Sequence, residues 1–538
     1  MSTTEAPATS NEQGEPNSSA DSGMPSEPSG GRAERGRRRQ RPKGPQAPAQ
    51  PPFRQPTRGI GPVKAVSEDQ LESIYAASLR VLAETGIDFL HPVAQKMWVE
   101  AGADLQDNRV RFEAELIESL IAKAPSEFTM HSRNETHNLH MGGDSVAFTA
   151  VASPPYVGDA AGGRREGNKA DFDNLLRLSQ SLNSVHLLGG YPVEPTDIHA
   201  SVRHLHATRS MLMLTDKIPH TYSLGSMRNI DCLEMVRIAR GIDAATLDTQ
   251  ASVHTIINAS SPLRYDEPML EGILQFSPRN QVVVITPFTL AGAMAPVTVA
   301  GALVQQNAEA LAGIAFTQLV NPGSPVVYGG FTSNVDMKSG SPAFGTPEFM
   351  KAALVGGQLA RRVGVPYRSS NVCAANAVDA QAGYESSFSL MGAILGGANL
   401  VMHGAGWMEG GLRASYEKMV LDADLLQMVS VFLDPIVVDD ASLAVETIAE
   451  VGPGGHFFGV PHTQDRFRDA FYSPMISDWR NFESWEEAGS PTSEQHATRL
   501  VKEFLDTYEQ PPMDDAVLAE LDDFVARRVA EGGVPTDF

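Results

Sequence analysis

Residues 321–407 contain three short runs, PVVY at 325–328, VPYR at 365–368 and NLVM at 399–402. Each run is mostly apolar or aromatic, and Gly, Ser, Asn or His follows it before any helical pattern begins. Short apolar runs that alternate with helices are typical of parallel strands covered on both faces. The stretch therefore predicts three consecutive strand-helix units of an α/β fold.

The same alternation begins near residue 145 and continues to residue 433. Its candidate strands lie at residues 146–150, 186–191, 219–223, 253–258, 282–286, 326–328, 366–368 and 400–403. Eight strand-helix units over slightly fewer than 300 residues match a TIM (β/α)8 barrel in number and length. A doubly wound open sheet is the alternative, although no candidate strand is followed by a GxGxxG turn.

Three further segments flank the predicted barrel domain of residues 145–433. Residues 1–60 are rich in Arg, Pro and Gly with almost no aliphatic side chains, which predicts a disordered tail. Residues 61–144 predict a small α+β module, because amphipathic helical patterns there alternate with short strands. Residues 434–538 predict a helical C-terminal extension, and we expect its aromatic cluster at residues 467–485 to pack as a satellite core.

Composition and charge restrict the class of protein. The formal net charge of -23 argues against binding of nucleic acid or an anionic membrane by the folded part. Cys232 and Cys373 are the only cysteines, too few for a disulfide framework, which predicts a reducing, cytoplasmic location. No apolar run reaches the roughly 20 residues of a membrane span, and no secretory signal pattern begins the sequence.

The predicted carboxyl ends of the strands are rich in aromatic and acidic side chains. These residues are Tyr156, Asp159, Tyr191, Tyr222, Asn258, Phe288, Phe331, Asn334, Asp336, Asn371, Glu385, His403, Trp407 and Glu409. Active sites of TIM barrels form at this end. Aromatic faces attract quaternary ammonium groups, so the mixture suits a cationic ligand that carries methyl groups. The alternative for each aromatic side chain is that it closes the top of the core.

Other chemistries have weaker support from the sequence. No paired His at a predicted strand end suggests a metal site, so we expect none. Lys338 lies well inside a loop, which is a poor position for a Schiff base. Asp197 and His199 begin a DxHxxG cobalamin motif, but Val202 stands at its Gly position. We therefore expect the chain to bind no corrinoid of its own.

Several longer motifs resemble the trimethylamine methyltransferase family over nearly all of the chain from residue 60. They are AGALVQQNAE at 300–309, GTPE at 345–348, DAQAG at 379–383, GAG at 404–406 with Glu409, LDAD at 421–424 and GHFFG at 455–459. The resemblance implies transfer of a methyl group from an amine to the cobalt of a separate corrinoid protein. It also implies that the corrinoid is supplied by this partner protein and that the enzyme is a homo-oligomer.

The resemblance places Asn371 where archaeal members carry pyrrolysine. Members without pyrrolysine include enzymes that demethylate quaternary amines such as glycine betaine, which is the substrate class implied here. Ala374 and Asn376 replace the Asp and Lys often found after this position. We predict catalytic roles for Asn371, Glu385 and Glu409. The predicted substrate-binding residues are Tyr191, Tyr222, Phe331, Asp336, His403 and Trp407.

The sequence leaves three functions open. The first is a methyltransferase that acts on a quaternary amine and a corrinoid protein. The second is a betaine-binding or regulatory barrel without turnover, which the altered loop at 371–376 would permit. The third is an unrelated barrel lyase or hydrolase.

Overall fold

The computed structural model describes residues 47–536 of a mixed α/β protein. The part of the predicted tail at residues 1–46 lies outside the described residues. None of the helices within 47–536 is long and apolar enough to cross a membrane.

The end of the predicted tail lies against the folded body. Arg58 is only 8% exposed, and its guanidinium donates hydrogen bonds to the carbonyls of Ala398 (2.9 Å) and Gly143 (2.7 Å). Gln50 also donates to a carbonyl of the body, that of Ser181 (2.7 Å). The prediction of a disordered tail up to residue 60 is therefore wrong for residues 47–60. A few polar side chains hold this segment by binding backbone carbonyls of distant residues, and composition does not reveal such contacts.

The N-terminal module contains short helices and strands. Its elements are β1 (Ile87–Phe89), β2 (Asp104–Gln106), β3 (Arg109–Arg111), β4 (Phe128–Met130), β5 (Leu139–Met141), α1 (Glu68–Arg80), α2 (Pro92–Glu100), α3 (Ala114–Ile121), a π-helical turn (Val81–Thr85) and a 3-10 turn (Glu135–His137). Ser67 and Gln70 form a capping box that begins α1. The β2-β3-β1 sheet takes a parallel fourth strand from Arg264–Tyr265, so it joins the module to the central domain.

The central domain alternates strands and helices. Its strands are β6 (Ala147–Ala150), β7 (Tyr156–Asp159), β8 (Gly163–Glu166), β9 (His254–Ala259), β10 (Arg264–Tyr265), β11 (Val282–Ala291), β12 (Val326–Gly329), β13 (Phe331–Val335), β14 (Pro342–Ala343), β15 (Tyr367–Ser370), β16 (Leu400–Ala405), β17 (Trp407–Met408) and β18 (Arg413–Ser415). Its helices are α4 (Lys169–Ser181), α5 (Ala200–Leu214), α6 (Ser226–Arg240), α7 (Ala244–Leu247), α8 (Glu267–Phe276), α9 (Val299–Val320), α10 (Pro347–Val363), α11 (Ala380–Leu395) and α12 (Tyr416–Leu433), with 3-10 turns at Ser277–Arg279 and Glu409–Gly411.

The central strands pair in parallel, in the order β9, β11, β12, β15, β16, β6. Isolated parallel bridges join Thr149 to Leu187, Leu187 to Ile218, and His220 to His254. The pairing path therefore runs on from β6 through residues near 187 and 218–220 to β9. The predicted strands at 186–191 and 219–223 are present only as these single bridges, whereas the other six predicted strands form ladders.

Apolar side chains from these strands form one cluster with the β4–β5 hairpin. Its buried members are Met130, Leu139, Met141, Ala147, Leu187, Ile218, Ala251, Val282, Val284, Val327, Leu400 and Met402. Residues that alternate with them, such as Val283 and Ile285, belong to the larger cluster that includes the helices. This alternation gives each strand two buried faces, as the apolar runs predict.

The described part of the C-terminal extension contains helices joined by loops. Its helices are α13 (Asp440–Leu443), α14 (Val445–Val451), α15 (Pro461–Gln464), α16 (Phe482–Glu487), α17 (Ser493–Asp506) and α18 (Asp515–Ala530). Buried residues of α17 and α18 join the main core. Phe467, Phe471, Trp479 and Phe482 are instead 58–87% exposed, so the prediction of a satellite core is wrong for these four residues.

Arg58 and Arg54 provide a matched pair for testing how firmly the segment before residue 60 is held. Arg58→Ala should lower the free energy of unfolding by roughly 2–4 kcal/mol, because it leaves two carbonyls without their charged donor. Arg54→Ala should cost at most about 1 kcal/mol, because its ion pair with Asp434 is solvent-exposed. Urea denaturation of both variants measures the difference, and equal losses would contradict a buried anchor at Arg58.

Candidate functional site

A cavity of about 340 Å³ lies at the carboxyl ends of the central strands. Residues at or shortly after the ends of the paired strands line it. They are Ala152, Ser153, Gly189, Tyr222, Ser223, Leu224, Ile256, Asn258, Ala259, Met269, Thr286, Phe288, Met294, Phe331, Arg368, His403, Trp407 and Gly411. A mostly apolar cavity with a few convergent polar groups is typical of a small-molecule site.

Aromatic rings form one wall of this cavity. The rings of Phe288 and Phe331 stack with centroids 5.0 Å apart, and those of His403 and Trp407 stack at 5.3 Å. Phe344 packs edge-on against Trp407 at 5.1 Å from behind. Gly411 has a φ of +97°, and a Cβ there would lie 2.6 Å from the indole of Trp407. The indole is therefore held between Phe344, His403 and a position that only Gly can occupy.

Tyr222 is another lining residue of the cavity. Its hydroxyl lies 2.6 Å from Ser153 Oγ and accepts a hydrogen bond from the backbone N–H of Tyr191 (3.1 Å). The ring of Tyr191 packs edge-on against that of Tyr222 at 4.8 Å. Tyr191 is thus placed behind Tyr222, where it supports the lining residue.

His403 contributes an uncharged ring to the cavity. Its backbone N–H donates to Thr149 Oγ1 (3.0 Å), and its φ is +55°. Burial, together with the nearby charge of Arg368, lowers its imidazole pKa to about 3. The ring is therefore neutral at pH 7 and adds an apolar face beside Trp407.

Arg368 is the charged residue of the lining, and the sequence-based prediction missed it. Side chains alternate across a strand, and the hydroxyl of Tyr367 on β15 donates outward to the carbonyl of Ala353 on α10 (2.9 Å). Arg368 therefore faces the interior, where it is 2% exposed and its Cζ lies 5.1 Å from the ring centroid of Phe331. Its Nε and Nη1 have no hydrogen-bond partner among residues 47–536. Burial lowers its pKa to about 9, so it remains a cation at neutral pH.

The sequence contained a signal for this residue. In VPYR at 365–368, a guanidinium ends a strand that is otherwise suited to burial on both faces. Buried charges in proteins are normally paired or bound to a ligand. An Arg in such a run therefore indicates a binding residue.

Among the residues with predicted catalytic roles, Asn371 lies one residue beyond β15. It is 2% exposed and its side-chain amide donates to the carbonyl of Gly404 (2.9 Å), while its Oδ1 has no hydrogen-bond partner in the part of the chain that the structure describes. It joins the ends of β15 and β16 and is not among the residues that line the cavity.

Glu385 on α11 organises the loop that follows Asn371. Its Oε2 accepts hydrogen bonds from the N–H groups of Ala374 (2.7 Å) and Ala375 (3.0 Å), and its Oε1 accepts from Gln381 Nε2 (2.7 Å). The carboxylate is thus fully engaged in shaping the 371–376 loop.

The other two acidic residues lie outside the cavity lining. Glu409 forms ion pairs with Arg164 (2.8 Å) and Arg413 (3.2 Å). Asp336 is exposed in a turn, where its carboxylate accepts a hydrogen bond from Ser339 Oγ (2.7 Å). The structure therefore brings together Tyr222, Phe331, His403 and Trp407 in the cavity and leaves the predicted carboxylates around it.

Comparison with known proteins gives this cavity a context. Residues 29–533 match the family described as trimethylamine methyltransferase. The chain belongs to this family. The motifs at 300–309, 345–348 and 379–383 thus indicated the family correctly.

Two groups of curated relatives differ in their named substrates. A glycine betaine methyltransferase of Desulfitobacterium hafniense strain Y51 is 35% identical, over 87% of this chain and 98% of that protein. A trimethylamine methyltransferase of strain DSM 10664 / DCB-2 of the same species is 28% identical, over 87% and 94%. One from Methanosarcina barkeri is also 28% identical, over 84% and 92%. A crystal structure titled as the hydroxylamine MtmB complex aligns with 86% of this chain and 89% of its own, with a TM-score of 0.48 and 12% identity.

In this member of the trimethylamine methyltransferase family, a buried ion pair fastens the strand end that carries Trp407. Lys418 and Asp422 are one turn apart on α12, and both are fully buried. Asp422 Oδ2 accepts from the N–H of Gly406 (2.9 Å), and Lys418 Nζ donates to Ser386 Oγ on α11 (2.6 Å). The pair links α11, α12 and the residue that precedes Trp407.

Replacing one member of this ion pair should destabilise the protein strongly, whereas replacing both members should destabilise it less than the two single losses combined. Lys418→Met or Asp422→Leu alone should lower the free energy of unfolding by roughly 3–5 kcal/mol, because each leaves one buried charge unpaired. The double variant should cost clearly less than the sum of the two. The same double-mutant cycle at Lys64 and Glu68, an exposed pair at the same helical spacing, should give a coupling energy of less than about 1 kcal/mol. Additive losses at Lys418 and Asp422 would contradict the coupling.

Proposed function

We propose that the chain transfers a methyl group from a quaternary amine such as glycine betaine to the Co(I) of a separate corrinoid protein. The observation that carries this proposal is the aromatic cavity at the strand ends, formed by Tyr222, Phe288, Phe331 and Trp407. Family membership and the 35% identity to a glycine betaine methyltransferase support the same reaction class.

We also propose that the central strands form a closed (β/α)8 barrel. The support is the cyclic order of the parallel pairings, in which single bridges at Leu187 and His220 join β6 to β9. A barrel places its reactive cavity at the carboxyl ends of the strands, where this cavity lies.

The aromatic wall is suited to the trimethylammonium head of a substrate. Ammonium methyl groups carry a distributed positive charge, and each aromatic face stabilises it by roughly 0.5–2 kcal/mol. Phe288, Phe331 and Trp407 line the cavity, so an ammonium group bound there lies beside their rings. In this role they hold one methyl group toward the opening.

The proposed reaction requires little acid–base catalysis from this chain. The corrinoid protein supplies the nucleophile, and breaking the C–N bond leaves its electron pair on nitrogen, so the tertiary amine departs neutral. No proton must be moved, which agrees with a lining that holds a neutral His403 and no carboxylate. The chain's contribution is to position the ammonium group and to stabilise it electrostatically.

Asn371, Glu385 and Glu409 then act as positioning residues in this proposal. An amide at Asn371 offers no electrophile for free trimethylamine, and its bond to Gly404 keeps β15 and β16 in register. Glu385 shapes the 371–376 loop, and Glu409 forms ion pairs with Arg164 and Arg413. Homo-oligomerisation remains a prediction, supported by exposed apolar side chains such as Ile436 and Phe458.

The reaction can be tested with a panel of methylated amines. The purified chain and a Co(I) corrinoid protein should react with glycine betaine but only poorly with trimethylamine, since trimethylamine requires prior activation. The cobalt absorbance spectrum reports the transfer, and a mixture without the chain serves as the control. Rapid transfer from trimethylamine with none from any quaternary amine would overturn the substrate class. Tight betaine binding without any change at cobalt would favour the binding protein without turnover.

Trp407 and Trp98 test the aromatic wall by comparison. Trp407→Ala should weaken betaine binding about five- to tenfold, as expected for the loss of one aromatic face worth about 1 kcal/mol. It should also lower stability by roughly 3–5 kcal/mol, because the indole is only 5% exposed. Trp98→Ala, in the core of the N-terminal module, should cause a similar loss of stability with unchanged affinity. Calorimetric titration at a temperature where both variants are folded separates the two effects, and equal affinities would remove Trp407 from the wall.

A further inference from the structure

A long apolar segment with little cover follows α12. It comprises residues 436–471 and is called the arm here. Its large apolar side chains are 45–89% exposed, namely Ile436, Val437, Val438, Leu443, Val445, Ile448, Phe457, Phe458, Phe467 and Phe471. Together they carry roughly 800 Å² or more of accessible apolar surface, at about 100 Å² for a half-exposed aromatic side chain. Exposed apolar surface on this scale is typical of an interface.

The arm consists of short helices that make mostly local contacts. Its helices α13, α14 and α15 are 4–7 residues long, whereas an isolated helix shorter than about 12–15 residues is marginal in water. Ser442 Oγ donates to the carbonyl of Asp439 (3.0 Å), and Gln464 donates to that of Phe458 (2.6 Å). Among residues 47–536, none of the exposed apolar side chains of the arm joins a buried cluster. The arm therefore needs a partner that covers these side chains.

α11 and α12 present a second exposed apolar surface, called the α11/α12 face here. Its side chains lie one helical turn apart on each helix and are 39–61% exposed, namely Tyr384 and Phe388 on α11 and Met428 and Phe432 on α12. Residues 59–63 join the two helices, because backbone N–H groups of this segment donate to the last carbonyls of α11 (2.8 Å) and α12 (2.7 Å). This segment adds the exposed side chains of Ile60 and Val63 to the face.

The composition of the chain restricts what can cover this face. Residues 1–46 contain no Val, Ile, Leu, Phe, Tyr or Trp, so they offer no large aliphatic or aromatic side chain to pack on it. The arm offers many such side chains. It follows α12 directly, and Arg54 donates two hydrogen bonds (2.8 and 2.6 Å) to the carboxylate of Asp434 at this junction. Yet Met428 and Phe432 are about half exposed with the arm of the same chain present, so that arm leaves the face open.

We propose that the arm of one copy packs on the α11/α12 face of a second copy of this chain. Exchange of arms in both directions gives an interface with twofold symmetry, in which every contact occurs twice. The apolar surface of one arm matches the roughly 800 Å² that each partner contributes to a standard interface. The interface lies on the outer side of α11 and α12, whose inner side carries Glu385 and the pair of Lys418 and Asp422.

Analytical ultracentrifugation of the full chain measures this assembly. The wild type should sediment as a dimer or a larger assembly at about 1 μM, as expected for an apolar interface of standard size. Phe458→Glu in the arm and Phe432→Lys in the face should each raise the dissociation constant at least about 100-fold, because each places a charge in two symmetric contacts. Val93→Glu is the matched control, since Val93 on α2 is 50% exposed like Phe432, and it should change nothing. A monomeric wild type, or an assembly that both variants leave intact, would overturn the proposal.

A mixture of the two variants tests the pairing of arm with face directly. The Phe458→Glu chain keeps the native face, and the Phe432→Lys chain keeps the native arm. Together they restore one native contact, and the introduced charges of the other contact have opposite signs. The mixture should therefore associate at least about tenfold more tightly than either variant alone. A mixture that dissociates as readily as the separate variants shows that the arm does not pack on this face.

Far-UV circular dichroism separates loss of assembly from loss of folding. Both variants should keep the spectrum of the wild type, because the substituted side chains are exposed within one chain. Phe471→Glu, at a residue that is 87% exposed, replaces Phe458→Glu in both experiments should that variant not fold. If the wild type is monomeric and Phe458→Glu weakens only its binding to the corrinoid protein, the arm belongs to that partner and the proposal is overturned. Methyl transfer is measured separately, so neither result decides the proposed reaction.

Discussion

A positive charge buried without a protein counter-charge is the constraint on which the rest of this site depends. Arg368 projects from β15 into the interior, because the side chain of its neighbour Tyr367 points the other way and donates a hydrogen bond to α10. The cost of removing an ion from water far exceeds the contribution of any single apolar contact in the cavity. The buried charge of Arg368 is therefore a stronger constraint on what the cavity can hold than the number of aromatic rings around it.

Several polar groups around the cavity satisfy one another. Asp422 holds Gly406 and pairs with Lys418, and Glu385 holds the loop that follows Asn371. Each of these carboxylates accepts its full complement of nearby donors, so it has little capacity left for a ligand. Fully satisfied networks rigidify a core, and here they fix the rings of His403 and Trp407 in one arrangement. Asp422 and Glu385 thus hold the site in place, whereas the unsatisfied Arg368 faces the cavity.

Much of the fold could be predicted from the sequence because burial on both faces leaves a clear pattern. Runs such as PVVY at 325–328 and NLVM at 399–402 correspond to β12 and β16, and the family motifs lie around them. The strands near 187 and 218–220 pair through single bridges, which periodicity does not distinguish from full ladders. Phe331, Tyr222, His403 and Trp407 were found as strand-end aromatics, whereas Arg368 was read as part of a strand. Contacts between distant segments, such as Arg58 with the carbonyl of Ala398, have no local signal at all.

The charge of Arg368 also bears on the direction of the proposed reaction. A betaine enters with no net charge, and loss of a methyl cation equivalent leaves an amino acid with a neutral amine and a carboxylate. The net charge inside the cavity therefore falls by one unit during transfer, beside a fixed cation. Electrostatic groups accelerate a reaction when they stabilise the transition state more than the ground state. A fixed guanidinium near the ammonium group acts in this sense, because its repulsion of the ammonium charge diminishes as the C–N bond breaks. In the proposed reaction the aromatic rings thus bind and position the ammonium group, and the nearby guanidinium favours the loss of its charge.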